Sequence, residues 1–260
     1  MLTSYPENSV LYTERYCAFI DILGFQEIIS RLDQGRISAQ SLITLLREIH
    51  EPRAGVKNLE DADLRVQSIS DAVAISTAPT AEGLAQLFLA TDVLTIKLLL
   101  LGFFIRGAIA KGSLYHDRDM IFGEALVRAY QFESKISRYA RLLVTSAVKS
   151  DLDAYAANPK YTELFEDRVR QADDGPFFSN SLRDLALAVA FIDPKDLPKT
   201  AVGHDLIGVR ENIQRRLDEA VDNPSHFEKV RWFASYWNSV MPDSRDLPHV
   251  RGPGLLQKTA

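Results

Sequence analysis

The chain has 260 residues, 46% of them hydrophobic and 25% charged, with a formal net charge of −5. That length and composition suit one large soluble domain, or one domain with an extension, and the acidic balance excludes an overall basic field for nucleic acid. A single cysteine, Cys17, excludes an intrachain disulfide framework and fits a reducing compartment.

Residues 1–14 are polar, without an apolar signal core, and read as an N-terminal arm. Tyr16 to Ile20 is an apolar run without helical spacing, the pattern of a buried strand. Asp21 stands at its end, followed by Ile22-Leu23-Gly24-Phe25 and then a helical pattern. A buried strand that runs through one carboxylate into a glycine turn and a helix is a site architecture. Carboxylates are rarely buried unless paired or metal-bound. Gly24 lets the backbone approach a ligand, and the N–H groups of a helix start can receive phosphate. The alternative is a core strand whose acid caps the helix.

Helical patterns follow over 26–32 and 38–50, broken at Gly35, with Ser38 as an N-cap. A polar loop with Pro52 and Gly55 covers 51–62. Leu64 to Ser70 and Ala72 to Ser76 both alternate apolar and polar residues, which predicts a hairpin with Asp71 at its tip. Thr80 caps a long helix that runs to Leu101. Phe103 to Ala110 is a strand interrupted by Arg106 and Gly107. Ser113–Tyr115 and Met120–Phe122 are short strands around the charged hairpin His116-Asp-Arg-Asp119, which places His116 in solvent. Gly123 opens a helix to Tyr139, Leu142–Thr145 is a strand, and a helix runs from Ser146 to about 157. The longest uninterrupted apolar stretch, Leu98 to Ile105, contains Gly102 and is too short to span a bilayer. A cytoplasmic chain without direct membrane insertion is expected.

This order predicts an α+β fold of the β-α-β-β-α-β, ferredoxin-like kind, with helices on one face of an antiparallel sheet. It occupies 15–160. Residues 161–260 form an extension packed on that domain, helical over Glu211–Val221 and Phe227–Val240. Leu185 to Ile192 reads as a strand or a buried helix, and the breaker-rich tail from 242 reads as loose. Trp232, Phe233, Tyr236 and Trp237 have helical spacing, which points to core or dimer packing.

In a ferredoxin-like sheet the first strand neighbours the hairpin, so Asp21 and Asp71 face each other. Like charges that close need a cation between them. Hard oxygen ligands suit Mg²⁺ or Mn²⁺, with the main-chain carbonyl of Ile22 as a further candidate ligand. Arg106, among apolar strand residues, needs a partner for its charge. That partner is either a substrate reached across a dimer or a buried acid.

Four blocks of the sequence, Phe19-Ile-Asp-Ile-Leu-Gly-Phe25, Ser68-Ile-Ser-Asp71, Arg106-Gly-Ala-Ile-Ala-Lys-Gly112 and Phe122-Gly-Glu-Ala-Leu126, resemble in order the class III nucleotide cyclase domain over roughly 14–150. The third block, with Ala129-Tyr-Gln-Phe-Glu133, is similar to the pyrimidine cyclases of the bacterial Pycsar antiphage system. The resemblance implies two divalent metal ions, Mn²⁺ or Mg²⁺, held by Asp21, Ile22 and Asp71. It implies a triphosphate cradled by the backbone after Asp21, with Phe19, Gly24 and Phe25 around the substrate. It also implies a head-to-tail homodimer with active sites at the interface.

Purine cyclases carry a base-reading Lys where this chain has Gln67, and a base-reading acid where it has Met120. The family's ribose- and phosphate-steadying Asn and Arg fall on Val127 and Gln131, which leaves Arg128, one helical face along, to supply the arginine. The reading that results is a uridylate cyclase. It converts UTP to 3′,5′-cyclic UMP and pyrophosphate, a second messenger that acts on a separate effector in antiphage defence. The alternatives are a cytidylate or purine cyclase, or a degenerate cyclase fold that binds nucleotide or a partner.

Overall fold

A computed structural model describes residues 12–36, 38–40, 43, 63–69 and 72–255. The first strand, β1 (Thr13–Leu23), lies mid-sheet, between β3 (Ala72–Thr77) and β4 (Phe104–His116), antiparallel to both. Arg15 to Ala18 are buried on both faces, which is why Tyr16-Cys-Ala-Phe-Ile shows no alternation. The strand is longer than its apolar run. Among the described residues the last pair with β3 is Asp21 opposite Ala72, and Ile22 and Leu23 pair with Ile105 and Phe104 of β4.

Gly24, at φ 84°, turns the chain into α1 (Phe25–Asp33), and Gly35, at φ 67°, follows its end. Most of the helix expected over 38–50 lies outside the described residues. β2 (Arg65–Ile69) pairs with β3, and α2 (Ala81–Leu100) returns across the sheet. Thr80 caps α2 by accepting from the Gly83 N–H at 3.0 Å. By length and composition α2 could cross a bilayer, but 72% of its apolar window is buried inside the fold, as a core helix.

β4 then runs unbroken for 13 residues, where the sequence predicts two separate strands. Its pairing with β1 continues through both Gly107 and Gly112. Gly107 is required there, because a Cβ would sit 2.3 Å from the Phe19 carbonyl oxygen. The order β2-β3-β1-β4, all antiparallel, is the expected β-α-β-β-α-β sheet.

β5 (Ile121–Gly123) pairs with the end of β4, and α3 (Glu124–Lys135) begins at Gly123, shorter than expected. The expected helices over one face are α1 and α2, which bury Tyr16, Ala18, Ile20, Ile22, Val73 and Ile75. α3 lies against the opposite face, where Ala125 packs on Cys17 and Leu114, and Tyr130 meets the Phe19 ring edge-on at 5.5 Å.

The sheet continues into the C-terminal part. β6 (Leu142–Val144) is parallel to β4, and α4 (Ser146–Ala156) and α5 (Thr162–Phe165) follow. β8 (Phe177–Ser179) pairs with β6, and β7 (Val169–Gln171) with β8. Residues 185–190, left open as strand or helix, lie in the helix α6 (Arg183–Ala190). α7 (Ala201–Glu219) and α8 (Pro224–Val240) build a second core around Trp237, Phe233 and Tyr236 with Phe104, Ala108 and Phe178. The expectation of a loose tail from 242 is corrected over 242–255. Leu247 and Val250 are buried there, and Asn238 bonds Val250 through both its N–H and its carbonyl.

Candidate active site

Residues directly opposed in an antiparallel ladder point to the same face. The register therefore lines up two rows on the α3 face. One crosses Gln67, Ala74, Phe19 and Ala108; the next crosses Ala72, Asp21 and Arg106. The sequence pattern placed Asp21 at the end of a strand leading to a helix; β1 runs two residues further, to Leu23, and the Asp21 carboxylate is partly exposed, at 21%. Asp71 lies outside the described residues. Ala72, which follows it in sequence, is the partner of Asp21.

Asp21 Oδ2 accepts from Arg106 Nη2 at 3.2 Å, and the same nitrogen lies 2.5 Å from Glu133 Oε1. Within one chain Arg106 therefore has a buried acid as a partner, one of the two readings that its sequence context left open. Glu133 was missed by sequence reading. Its signal was available: Ala125, Ala129 and Glu133 recur every fourth residue, form the buried stripe of α3, and a carboxylate on such a stripe calls for a cation.

The two positions expected to face the base come together. Gln67 Nε2 donates to the Asp119 carbonyl at 3.2 Å, beside the half-exposed Met120. Phe19 lies in the Gln67 row, under Tyr130. Arg128 is not brought to Asp21. It pairs with Glu124 one turn earlier, at the edge of a cavity of about 430 Å³ lined also by Lys111, Ser150 and Asp151. Gln131 is exposed on α3, and Gly24 and Phe25 form the turn into α1. Ile22 has a buried side chain and pairs with Ile105.

Asp21 is a partly exposed hard oxygen donor near the end of β1 that already takes a cationic partner, so its chemistry fits a divalent cation. Among the described residues no group of three or more His, Cys, Asp or Glu forms a metal cluster. A metal at Asp21 would therefore need ligands beyond the described carboxylates.

His116, expected in solvent, is fully buried. Its Nδ1 is 2.8 Å from Ser76 Oγ, which also accepts from Arg15 Nε at 3.1 Å. Burial, with Arg15 and Arg65 nearby, pushes its pKa down to about 4. Burial also pushes the Cys17 thiol up to about 12.

No protein-family model and no curated protein matches the chain. Among solved structures, the monomeric guanylyl cyclase domain of the RhoGC fusion protein from the aquatic fungus Blastocladiella emersonii is similar. The TM-score is 0.44 at 16% identity, over 65% of this chain and 95% of that one. At that identity no activity carries over.

Proposed function

We propose that this chain is a nucleotide cyclase that converts UTP to 3′,5′-cyclic UMP and pyrophosphate. The observation that carries the reading is the register at one end of the sheet. Asp21 on β1 pairs with Ala72, the residue after Asp71, in the β-α-β-β-α-β order that the sequence motifs implied. The 3′-hydroxyl attacks the α-phosphorus, the bond to the bridging oxygen of the β-phosphate breaks, and pyrophosphate leaves. Two Mg²⁺ or Mn²⁺ ions on Asp21, the Ile22 carbonyl and Asp71 would acidify the hydroxyl and neutralise the leaving phosphates.

The preference for a pyrimidine is supported by Gln67 and Met120. Neither carries the charge with which purine cyclases read their base, and both lie beside Asp119. A homodimer is supported by Met120, Phe122, Val127 and Tyr130, apolar side chains that are each about half exposed. Arg128, one helical face along from Gln131, would supply the arginine from its shifted position on α3. The cyclic nucleotide would act on a separate effector in the cytoplasm, during phage infection.

The test is the purified full chain with Mn²⁺ and each of the four labelled nucleoside triphosphates. Cyclic UMP and pyrophosphate are expected, and neither should form with Asp21→Ala or Asp71→Ala. A second reading, a nucleotide-binding module without chemistry, is favoured by the ion pair that Arg106 already makes with Asp21. It predicts that UTP binds the wild-type chain and is recovered intact.

A further inference from the structure

Arg106 reaches two acids through one nitrogen, and the two differ in their access to water. Nη2 is 2.5 Å from Glu133, which is only 4% exposed, and 3.2 Å from Asp21, whose side chain is 21% exposed. Withdrawing the guanidinium from Glu133 takes a charge partner from a carboxylate that water barely reaches, a costly change in a low-dielectric setting. Withdrawing it from Asp21 takes a partner from a carboxylate that water and ions can reach. The backbone holds this arrangement in place. Gly107 packs flush on the Phe19 carbonyl, and its N–H donates to the Arg141 carbonyl at 3.2 Å.

We infer that Arg106 is a resident counter-ion of Asp21 that an incoming divalent cation displaces, and that Glu133 is the positioning residue that retains the displaced guanidinium. The inference rests on the reading of Asp21 as a metal ligand. Once a cation has taken its place at Asp21, the guanidinium stays tethered to α3 beside β1, where its exposed N–H donors can meet the oxygens of a phosphate group. The cation and Arg106 therefore compete for one carboxylate, and Glu133 sets the terms of the competition. A guanidinium shared with Glu133 leaves Asp21 easily; one held by Asp21 alone does not.

The experiment measures Mn²⁺ binding to the full chain by electron paramagnetic resonance, without nucleotide, so that turnover plays no part. Arg106→Gln should tighten Mn²⁺ binding about tenfold, and Glu133→Gln should weaken it about tenfold, a coupling ordinary for groups in one ion-pair network. Most of the Glu133→Gln effect should vanish when Arg106→Gln is already present. That loss of effect separates a role through Arg106 from the plain negative potential of Glu133. If Glu133→Gln does not fold, Glu133→Asp replaces it; its carboxylate, one methylene shorter, should weaken Mn²⁺ binding in the same direction. Equal Mn²⁺ affinity in wild type and Arg106→Gln would overturn the inference and leave the metal reading standing. So would a Glu133→Gln effect of the same size in both backgrounds. Absence of Mn²⁺ binding from both the wild type and Arg106→Gln would overturn the metal reading, and the inference with it.

Discussion

Gln67 on β2 donates its side-chain amide to the main-chain carbonyl of Asp119, 3.2 Å away on the hairpin between β4 and β5. One bond thus joins two positions far apart in sequence, and it puts Met120 next to the row that crosses Phe19. On the reading proposed above, a base-facing surface without a Lys or an acid at these positions would offer adenine nothing specific to pair with. Hydrogen-bond mismatch in a buried site discriminates more strongly than shape does. The expected preference in kcat/KM for UTP over ATP is at least about a hundredfold. Gln67→Lys with Met120→Asp should narrow that gap, mostly by lowering UTP turnover. Equal rates of cyclic AMP and cyclic UMP formation by the wild type would sink this account of the pocket.

If Asp21 holds metal as proposed, Asp21→Ala should lower product formation by a factor of thousands or more. The fold should survive, because Arg106 keeps Glu133. Circular dichroism and melting temperature should match the wild type, while Mn²⁺ no longer restores activity after chelation.

His116 makes stability depend on acid. Its folded pKa, about 4, lies below the ordinary histidine value of 6.5. Between those values the unfolded chain binds the proton and the folded chain does not. Stability is therefore fully present above pH 6.5 and falls as the pH drops toward 4, by up to ~1.4 kcal/mol per pH unit. The residues around the ring act in known directions: Arg15 and Arg65 oppose protonation, and Asp63 and Asp117 favour it. Urea melts of the wild type and His116→Gln from pH 4 to 7 check this. The variant, whose side chain does not titrate, should show a flatter profile.

Cys17 should be chemically silent. It is fully buried between the sheet and α3, and burial pushes its thiol up to about 12, so thiolate is scarce at neutral pH. Iodoacetamide should label it only in denaturant. Labelling of the native chain on the timescale of a free thiol would contradict the burial of this strand.

Removal of residues 161–260 should cost the fold as well as the extension. β8 pairs directly with β6, and Trp237, Phe233 and Leu206 pack on Phe104 and Ala108 of β4. Across the same junction Arg168 pairs with the buried Asp92 of α2 at 2.8 Å. A chain ending at 160 would bare this apolar surface and leave the Asp92 carboxylate buried without its guanidinium, a change worth several kcal/mol. Expression of that truncation as a soluble, cooperatively melting protein would refute the prediction.

Local pattern carries information where one residue's neighbours in sequence are also its neighbours in space. The apolar run at Tyr16–Ile20, the alternation on either side of Ser70-Asp71, the cap at Thr80 and the turn glycine at Gly24 all depend on such short-range chemistry. Together they made the β-α-β-β-α-β order and the position of Asp21 legible from sequence. The same holds for the aromatic stripe of α8, whose helical spacing pointed to core or dimer packing and of which Phe233, Tyr236 and Trp237 are buried.

What the tertiary structure decided is pairing across distance. An arginine on a strand announces that its charge needs a partner but cannot say whether that is a ligand or a carboxylate, nor which one. Only the packing of α3 on the sheet brings Glu133 to Arg106, and only the register of β1 on β4 brings Asp21 to the same nitrogen. His116 lay in a charged stretch and read as solvated. Its burial follows from Ser76 and Arg15, on two strands that its own sequence neighbourhood does not contain. The breakers after 242 read as loose because proline and glycine end regular structure, yet Leu247 and Val250 are held by the side of α8 and the core behind it. Backbone preference is set within a few residues, whereas burial and charge neutralisation are set by whatever the fold places on the other side of the chain.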